Sequence, residues 1–319
     1  MSREKVSFVI PCYRSEKTIS PVVREIDKTM AQTGEDYEII MVCDGSPDGT
    51  WNVIEALCAE DPRRTGIDFA KNFGQHAALM AGIRRAAGDV IVCLDDDGQT
   101  PASEAPRLLK ALEDGADVAY ASYETPHRSA FRSFGTAMND YMTRIMLGKP
   151  RDLSITSYFA MRRFIADEVI RYEHSYPYLV GLILRTTKNI VNVRVDHRER
   201  REGASGYTFR KLLGLWMNGF TAFSITPLRA ATMLGSVFAV LGFLYGIYTI
   251  VKKLVNPAVP MGFSAIMSAL VFFGGMIMLM LGMVGEYVGR TYISVNSAPQ
   301  YVVRQVCAAQ DEDRRGQSV

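Results

Sequence analysis

Two long stretches without a single charged residue, Ala230–Val251 and Met261–Gly285, constrain this chain more than any other feature. Each exceeds the roughly 20 apolar residues that a helix needs to cross a bilayer. The loop between them is short and holds Asn256, Pro257 and Pro260, so the pair reads as an antiparallel hairpin of transmembrane helices. Ahead of it lies a water-compatible segment with acidic turns. The whole therefore reads as a soluble head fastened to a membrane by its tail, an arrangement suited to joining a water-soluble reactant to one that lives in lipid.

The remaining organisation follows from hydrophobic period. Apolar runs at Val6–Pro11, Tyr37–Cys43, Gly66–Phe69, Asp89–Leu94 and Asp117–Ser122 alternate with segments of helical spacing at Thr18–Thr33, Trp51–Ala59, Gln75–Ala87 and Ser103–Glu113. That alternation predicts an α/β fold with a mostly parallel, Rossmann-like sheet and helices on both faces. In such sheets ligands bind beyond the carboxyl ends of the strands. Past Phe131 the pattern weakens, to a helix at Phe131–Leu147, another at Arg162–Tyr172 and a strand at Ile190–Val195. Tyr207–Ser224 has apolar residues at steps of three and four with Arg210 and Lys211 at its start, and reads as an amphipathic helix in the membrane interface. The expected divisions are a cytoplasmic catalytic domain at 1–206, the juxtamembrane region at 207–228, two spans within 229–290 (about 230–251 and 261–285) and a cytoplasmic C-terminal tail at 291–319, whose last nine residues, DEDRRGQSV, read as solvated.

Composition excludes some classes. A formal net charge of +2 over 319 residues is too small for a nucleic-acid binder. The five cysteines include no CxxC pair and read as thiols in a reducing compartment. The N-terminus has no apolar run long enough for a secretory signal, so the head is expected on the cytoplasmic side of the plasma membrane, in a multi-pass protein. Small residues in both hydrophobic stretches (Gly235, Gly242, Gly246, Gly274, Gly275, Gly282) allow close helix packing or contacts in a homo-oligomer.

Three loops carry the chemistry. LDDDGQTP ends a hydrophobic strand with Asp95, Asp96 and Asp97. In extended chain Asp95 and Asp97 point one way and Asp96 the other, with Gln99 continuing the first face. Hard oxygen donors of this kind suit Mg²⁺ or Mn²⁺, although a solvated acidic turn fits the same residues. In CDGSPDGT, Asp44 sits where it can accept bonds from a ribose or base, while Gly45 and Gly49 allow close backbone approach; a plain turn with Ser46 or Asp48 capping the next helix is equally compatible. In VIPCYRSE, Pro11 and Tyr13 can form a wall against a flat base.

In order and spacing, these loops resemble the A-type nucleotide-sugar glycosyltransferases of family two. KNFGQHAAL (Lys71–Leu79), REGASGYTFRKL (Arg201–Leu212) and GEYVGRTY (Gly285–Tyr292) narrow the resemblance to the polyprenyl-phosphate branch, which includes dolichol-phosphate mannose synthases and bactoprenol glucosyltransferases. The resemblance implies that Pro11, Tyr13, Glu16 and Asp44 hold the nucleotide, and that Asp95, Asp97 and Gln99 hold Mg²⁺ or Mn²⁺ with the diphosphate. It implies that Arg200, Ser205, Tyr207 and Lys211 grip donor or acceptor phosphate, with Arg128 on a loop that closes over the diphosphate. Gly206 stands where the family has Lys, and Thr100 where it often has Asp. Ser154–Arg163 also departs from the family, implying an unusual sugar, and leaves Asp152 or Asp96 as the available base.

The implied activity is inverting, metal-dependent transfer of a sugar from a nucleotide-sugar to polyprenyl (undecaprenyl) phosphate at the cytoplasmic membrane face, for modification of cell-envelope glycans. A non-catalytic membrane scaffold or flippase accessory is the alternative, and it would need neither the acids nor the nucleotide loops. A dinucleotide oxidoreductase is set aside because no GxGxxG follows the first strand. A processive synthase is set aside because neither Trp51 nor Trp216 ends a Gln-x-x-Arg-Trp motif.

Overall fold

The computed structural model describes residues 4–123, 150, 153–175, 177–196, 262–295 and 299–308, with positions 233, 235, 237, 240, 241, 244, 245, 247, 248, 251, 254 and 255. The chain divides into two units, Met1–Gly206 with Ser297–Val319, and Tyr207–Asn296.

The first unit is built on β1 (Val6–Cys12), α1 (Ile19–Thr33), β2 (Tyr37–Cys43), α2 (Thr50–Glu60), β3 (Arg64–Phe69), α3 (Gln75–Arg85), β4 (Val90–Cys93), α4 (Ala105–Glu113) and β5 (Val118–Ser122). There follow β6 (Phe159–Arg162), α5 (Arg163–Ile170), α6 (Leu179–Thr186), β7 (Ile190–Arg194) and, after the second unit, β8 (Val303–Ala308). The inner strands are continuous apolar runs because both faces are covered. Phe8, Ile10, Ile39 and Met41 pack against α1, α2 and α4 on one face. Val9, Ile40 and Val42 pack against α3, α5 and α6 on the other. α1 ends where Gly34 takes φ 71° and its N–H returns to the Met30 carbonyl at 2.9 Å.

The sheet order is β7-β5-β6-β4-β1-β2-β3-β8. The chain runs outward from β1 through β2 to β3, then crosses back to β4 on the other side of β1. That reversal puts a topological switch point, and so a crevice, at the carboxyl ends of β1 and β4. The sheet is mixed: β1–β5 and β7 run one way, whereas β6 inserts antiparallel between β4 and β5, and β8 pairs antiparallel with β3. β6 is four residues long, too short to leave a periodic signal.

The expected C-terminal tail at 291–319 holds structure of its own, while its last nine residues lie outside the described residues. Val303–Ala308 within it completes the sheet edge. Tyr301 stacks on Phe69 with ring centroids 5.0 Å apart, and Arg304 reaches Asp68 at 3.3 Å. β8 faces solvent along most of its length, which hides it from a search for apolar runs.

In the second unit, α7 (Phe263–Val295) carries the apolar window Phe272–Gly289, of mean hydropathy 1.5 and with none of it buried. It is the one helix among the described residues long and apolar enough to cross a membrane. Of the earlier stretch, the described positions 233–251 are helical, and Gly235 lies so near Met280 that a Cβ there would sit 3.1 Å from its Cε. The expected helices at Phe131–Leu147 and Tyr207–Ser224 lie outside the described residues.

Candidate active site

The loops after β1 and β4 meet at the switch point. The Tyr13 N–H donates to Asp96 Oδ2 at 3.2 Å, and the Ser15 hydroxyl donates to the same oxygen. Asp96 thus turns inward and ties the two loops together. Burial pushes its carboxyl up to about 6; the Ser15 and Tyr13 hydrogen bonds oppose that shift, and the charges of Asp95 and Asp97 add to it.

Asp95 and Asp97 have other partners, because β4 ends at Cys93 and the chain turns at Asp96–Asp97. Both charges act on the phenol of Tyr123, whose pKa is pushed up first by burial and then by these two acids. Asp95 Oδ1 accepts from Gln75 Nε2 at 2.9 Å, and Asp95 Oδ2 accepts from the Ser157 hydroxyl. Asp97 accepts from the Gln99 backbone N–H at 3.0 Å and from the Gln99 side-chain amide. Gly98 between them takes φ 69°, and among the described residues nothing lies within 4 Å of where a Cβ would stand.

Among the described residues no group of three His, Cys, Asp or Glu side chains is arranged around a metal position. The expected set has only two acids, Asp95 and Asp97, completed by the Gln99 amide. Its donor chemistry, all oxygen, still fits a hard divalent cation that keeps waters and takes substrate phosphates.

The β2 loop is anchored through Asp44. The Asp44 carboxylate accepts the Phe73 N–H at 2.7 Å and the Gly74 N–H at 2.9 Å, and its carbonyl takes the Asn72 amide at 3.1 Å. Burial raises the Asp44 carboxyl against those two backbone bonds. Asp44 therefore holds the 72–74 segment, and any nucleotide contact uses its remaining lone pairs. Gly45, at φ 58°, lets this loop pass against the Lys71–Asn72 backbone, where a Cβ would lie 2.3 Å from the Lys71 carbonyl carbon. Asp48 accepts from Ser46 Oγ and Thr50 Oγ1 at 2.5 and 2.6 Å. Burial raises its carboxyl, and these bonds outweigh that and bring it below its ordinary value.

Of the first-loop residues, Pro11 is the next-to-last residue of β1, buried and paired with Val42. Tyr13 is 45% exposed, with the Arg14 guanidinium 5.6 Å from its ring centre. Glu16 accepts the Gly49 N–H at 3.2 Å and lines a cleft of about 270 Å³ between α1 and α2 with Arg24, Asn52 and Glu60. Arg128, Asp152, Arg200, Ser205, Tyr207 and Lys211 lie outside the described residues. Ser15, Gln75 and Ser157 were missed by the reading of loops one at a time. The signal for Gln75 was present, as a polar residue directly after a glycine at a helix start.

Residues 7–170 match the family model for glycosyl transferase family 2, and residues 226–291 match that of the GtrB C-terminal hairpin. The chain is 33% identical, over 95% of its length and 94% of the relative's, to an undecaprenyl-phosphate 4-deoxy-4-formamido-L-arabinose transferase of Proteus mirabilis. It is 32% identical to a Klebsiella pneumoniae protein of the same name, over 98% of each. Among solved structures it is similar to glucosyl-3-phosphoglycerate synthase from Mycobacterium tuberculosis in complex with Mn²⁺, uridine diphosphate and phosphoglyceric acid. There the TM-score is 0.54 and the identity 19%, over 70% of this chain and 78% of the other, a likeness of fold.

Proposed function

The chain belongs to glycosyl transferase family 2, in its polyprenyl-phosphate branch, and on that premise we propose that it moves a sugar from a nucleotide-sugar to undecaprenyl phosphate at the cytoplasmic membrane face. It is a glycosyltransferase, which leaves the scaffold reading without support. The observation that carries the proposal is the joining of the β1 loop, the β4 loop and the start of α3 at one switch point, through the Tyr13–Asp96 and Gln75–Asp95 hydrogen bonds.

In this reading Asp95, Asp97 and Gln99 hold a divalent cation, Mg²⁺ or Mn²⁺, which when bound supplies positive charge against the departing diphosphate. Tyr13 offers an exposed ring to the base, and Glu16 and Asp44 fix the loops around it. Arg128, Arg200, Ser205, Tyr207 and Lys211 are the proposed grip on phosphate, for which guanidinium geometry is well matched. The acceptor phosphate monoester has a second pKa of about 6 and is already an anion at neutral pH. Positioning it in line behind the anomeric carbon therefore matters more than removing a proton, and in-line attack inverts that centre. Asp96 is committed to Ser15 and Tyr13, which weakens it as a base and leaves Asp152 as the remaining acid for that role.

The membrane part of the proposal is a two-helix hairpin. The chain leaves the first unit before Tyr207 and rejoins the same sheet at β8. Any bilayer segment in between must begin and end on one side, which requires an even number of crossings. The approach of Gly235 to Met280 and the match of 226–291 to a hairpin model support two. A donor screen against undecaprenyl phosphate, read by mass spectrometry of the lipid, tests the proposal. Sugar-phosphate-lipid is expected with one nucleotide-sugar, and a screen without any glycosylated lipid counts against it.

A further inference from the structure

The KNFGQ segment is recognisable in the sequence, yet no step above gives its glutamine a task. Its backbone is pinned from one side by Asp44, through the Phe73 and Gly74 N–H groups. Gly74, at φ 93°, then turns the chain into α3, whose first residue is Gln75. The Gln75 side chain is exposed, and its amide donates to Asp95 Oδ1 at 2.9 Å. On the other oxygen of the same carboxylate sits the hydroxyl of Ser157. Ser157 arrives from an unrelated part of the chain. It stands two residues before Phe159, which pairs with Cys93 in the β4–β6 ladder, two residues before Asp95.

We infer that Gln75 and Ser157 are positioning residues that hold the Asp95 carboxylate in the orientation a divalent cation needs, and that Gln75 links this to the Asp44 loop. This rests on the assignment of Asp95 to the cation made above. Each donor is uncharged, so it fixes the carboxylate without cancelling its charge. Hydrogen-bonded ligands of this kind bind metal more tightly than free ones, because less orientational freedom is lost on binding. The opposite possibility is that the two donors merely stand in for a cation and are displaced by it. The two cases differ in sign. Removing a positioning donor weakens metal binding, whereas removing a competitor strengthens it or leaves it unchanged.

The test uses the full chain in lipid nanodiscs, titrated with MnCl₂ alone and with uridine diphosphate present. Free Mn²⁺ is followed by its electron paramagnetic resonance signal, so no turnover is needed. Gln75→Ala and Ser157→Ala are each expected to weaken Mn²⁺ binding about 10-fold. Ser157→Thr, which keeps the hydroxyl, is expected to restore most of it, a rescue that loss of fold would not give. Asp95→Ala is the reference. If it binds Mn²⁺ like the parent, the cation assignment itself is wrong. If it loses Mn²⁺ while Gln75→Ala and Ser157→Ala bind as tightly as the parent or more so, the assignment stands and the positioning inference is overturned.

Discussion

Gly45→Ala tests how tightly the β2 loop is bound to the 71–75 segment. Two costs add at this position. Its φ of 58° is left-handed, which costs an alanine about 1 to 2 kcal/mol. A Cβ would also lie 2.3 Å from the Lys71 carbonyl carbon and 2.5 Å from the Asn72 nitrogen. Those are backbone atoms, so the two loops must part, and overpacking of that kind costs about 1 to 3 kcal/mol. The sum is about 3 kcal/mol, which in a domain of this size lowers the unfolding midpoint by roughly 6 to 12 °C. Gly49→Ala is the control. There the φ is an ordinary −73°, and the nearest atom is the flexible tip of Glu16 at 2.8 Å, so less than about 1 kcal/mol is expected. Scanning calorimetry on both variants decides the matter. Parting the loops also moves Gln75 relative to Asp95, so Gly45→Ala should weaken Mn²⁺ binding as well. Equal midpoints for the two variants would refute the reasoning.

Two further outcomes follow from buried groups. Burial lowers the pKa of His76 to about 4, and its Nδ1 is buried without a hydrogen-bond partner. The unfolded chain takes up this proton near pH 6.5. The stabilisation is therefore complete above 6.5 and is lost as pH falls toward 4, on the order of 3 kcal/mol in all. His76→Phe should flatten that part of the stability-versus-pH curve, and an unchanged slope would exclude His76 as its source. At Gly66 a Cβ would meet Cys307 Sγ and Ile54 Cγ2, both at 2.5 Å. Gly66→Ala should cost about 1 to 3 kcal/mol, and adding Cys307→Ala should recover part of it in thermal unfolding. No recovery would mean that β8 does not press on this position.

How much was legible beforehand depended on the kind of contact. β1 and β2 were visible because strands covered on both faces must be apolar without interruption. α1 was visible because Ile19, Val22, Val23, Ile26 and Met30 mark one face. The run of three acids past a strand end was visible, but their partners could not be counted from the strand period, because the chain already turns at Asp96–Asp97. β6 and β8 could not be seen, since one is four residues long and the other is an exposed edge whose pairing is set by distant chain. With β6 went Ser157, which reaches Asp95 only because that strand inserts beside β4. β1 also runs on to Cys12, one residue past the proline at which the apolar run was expected to stop.

The most direct measurement is release of nucleoside diphosphate from a nucleotide-sugar by the full chain in nanodiscs, with and without undecaprenyl phosphate and Mn²⁺. Release is expected only when both are present, and Asp97→Ala should lower it by at least about 100-fold. Full release by Asp97→Ala, or the same release without the lipid phosphate, would contradict an acidic switch-point site serving a membrane-bound acceptor.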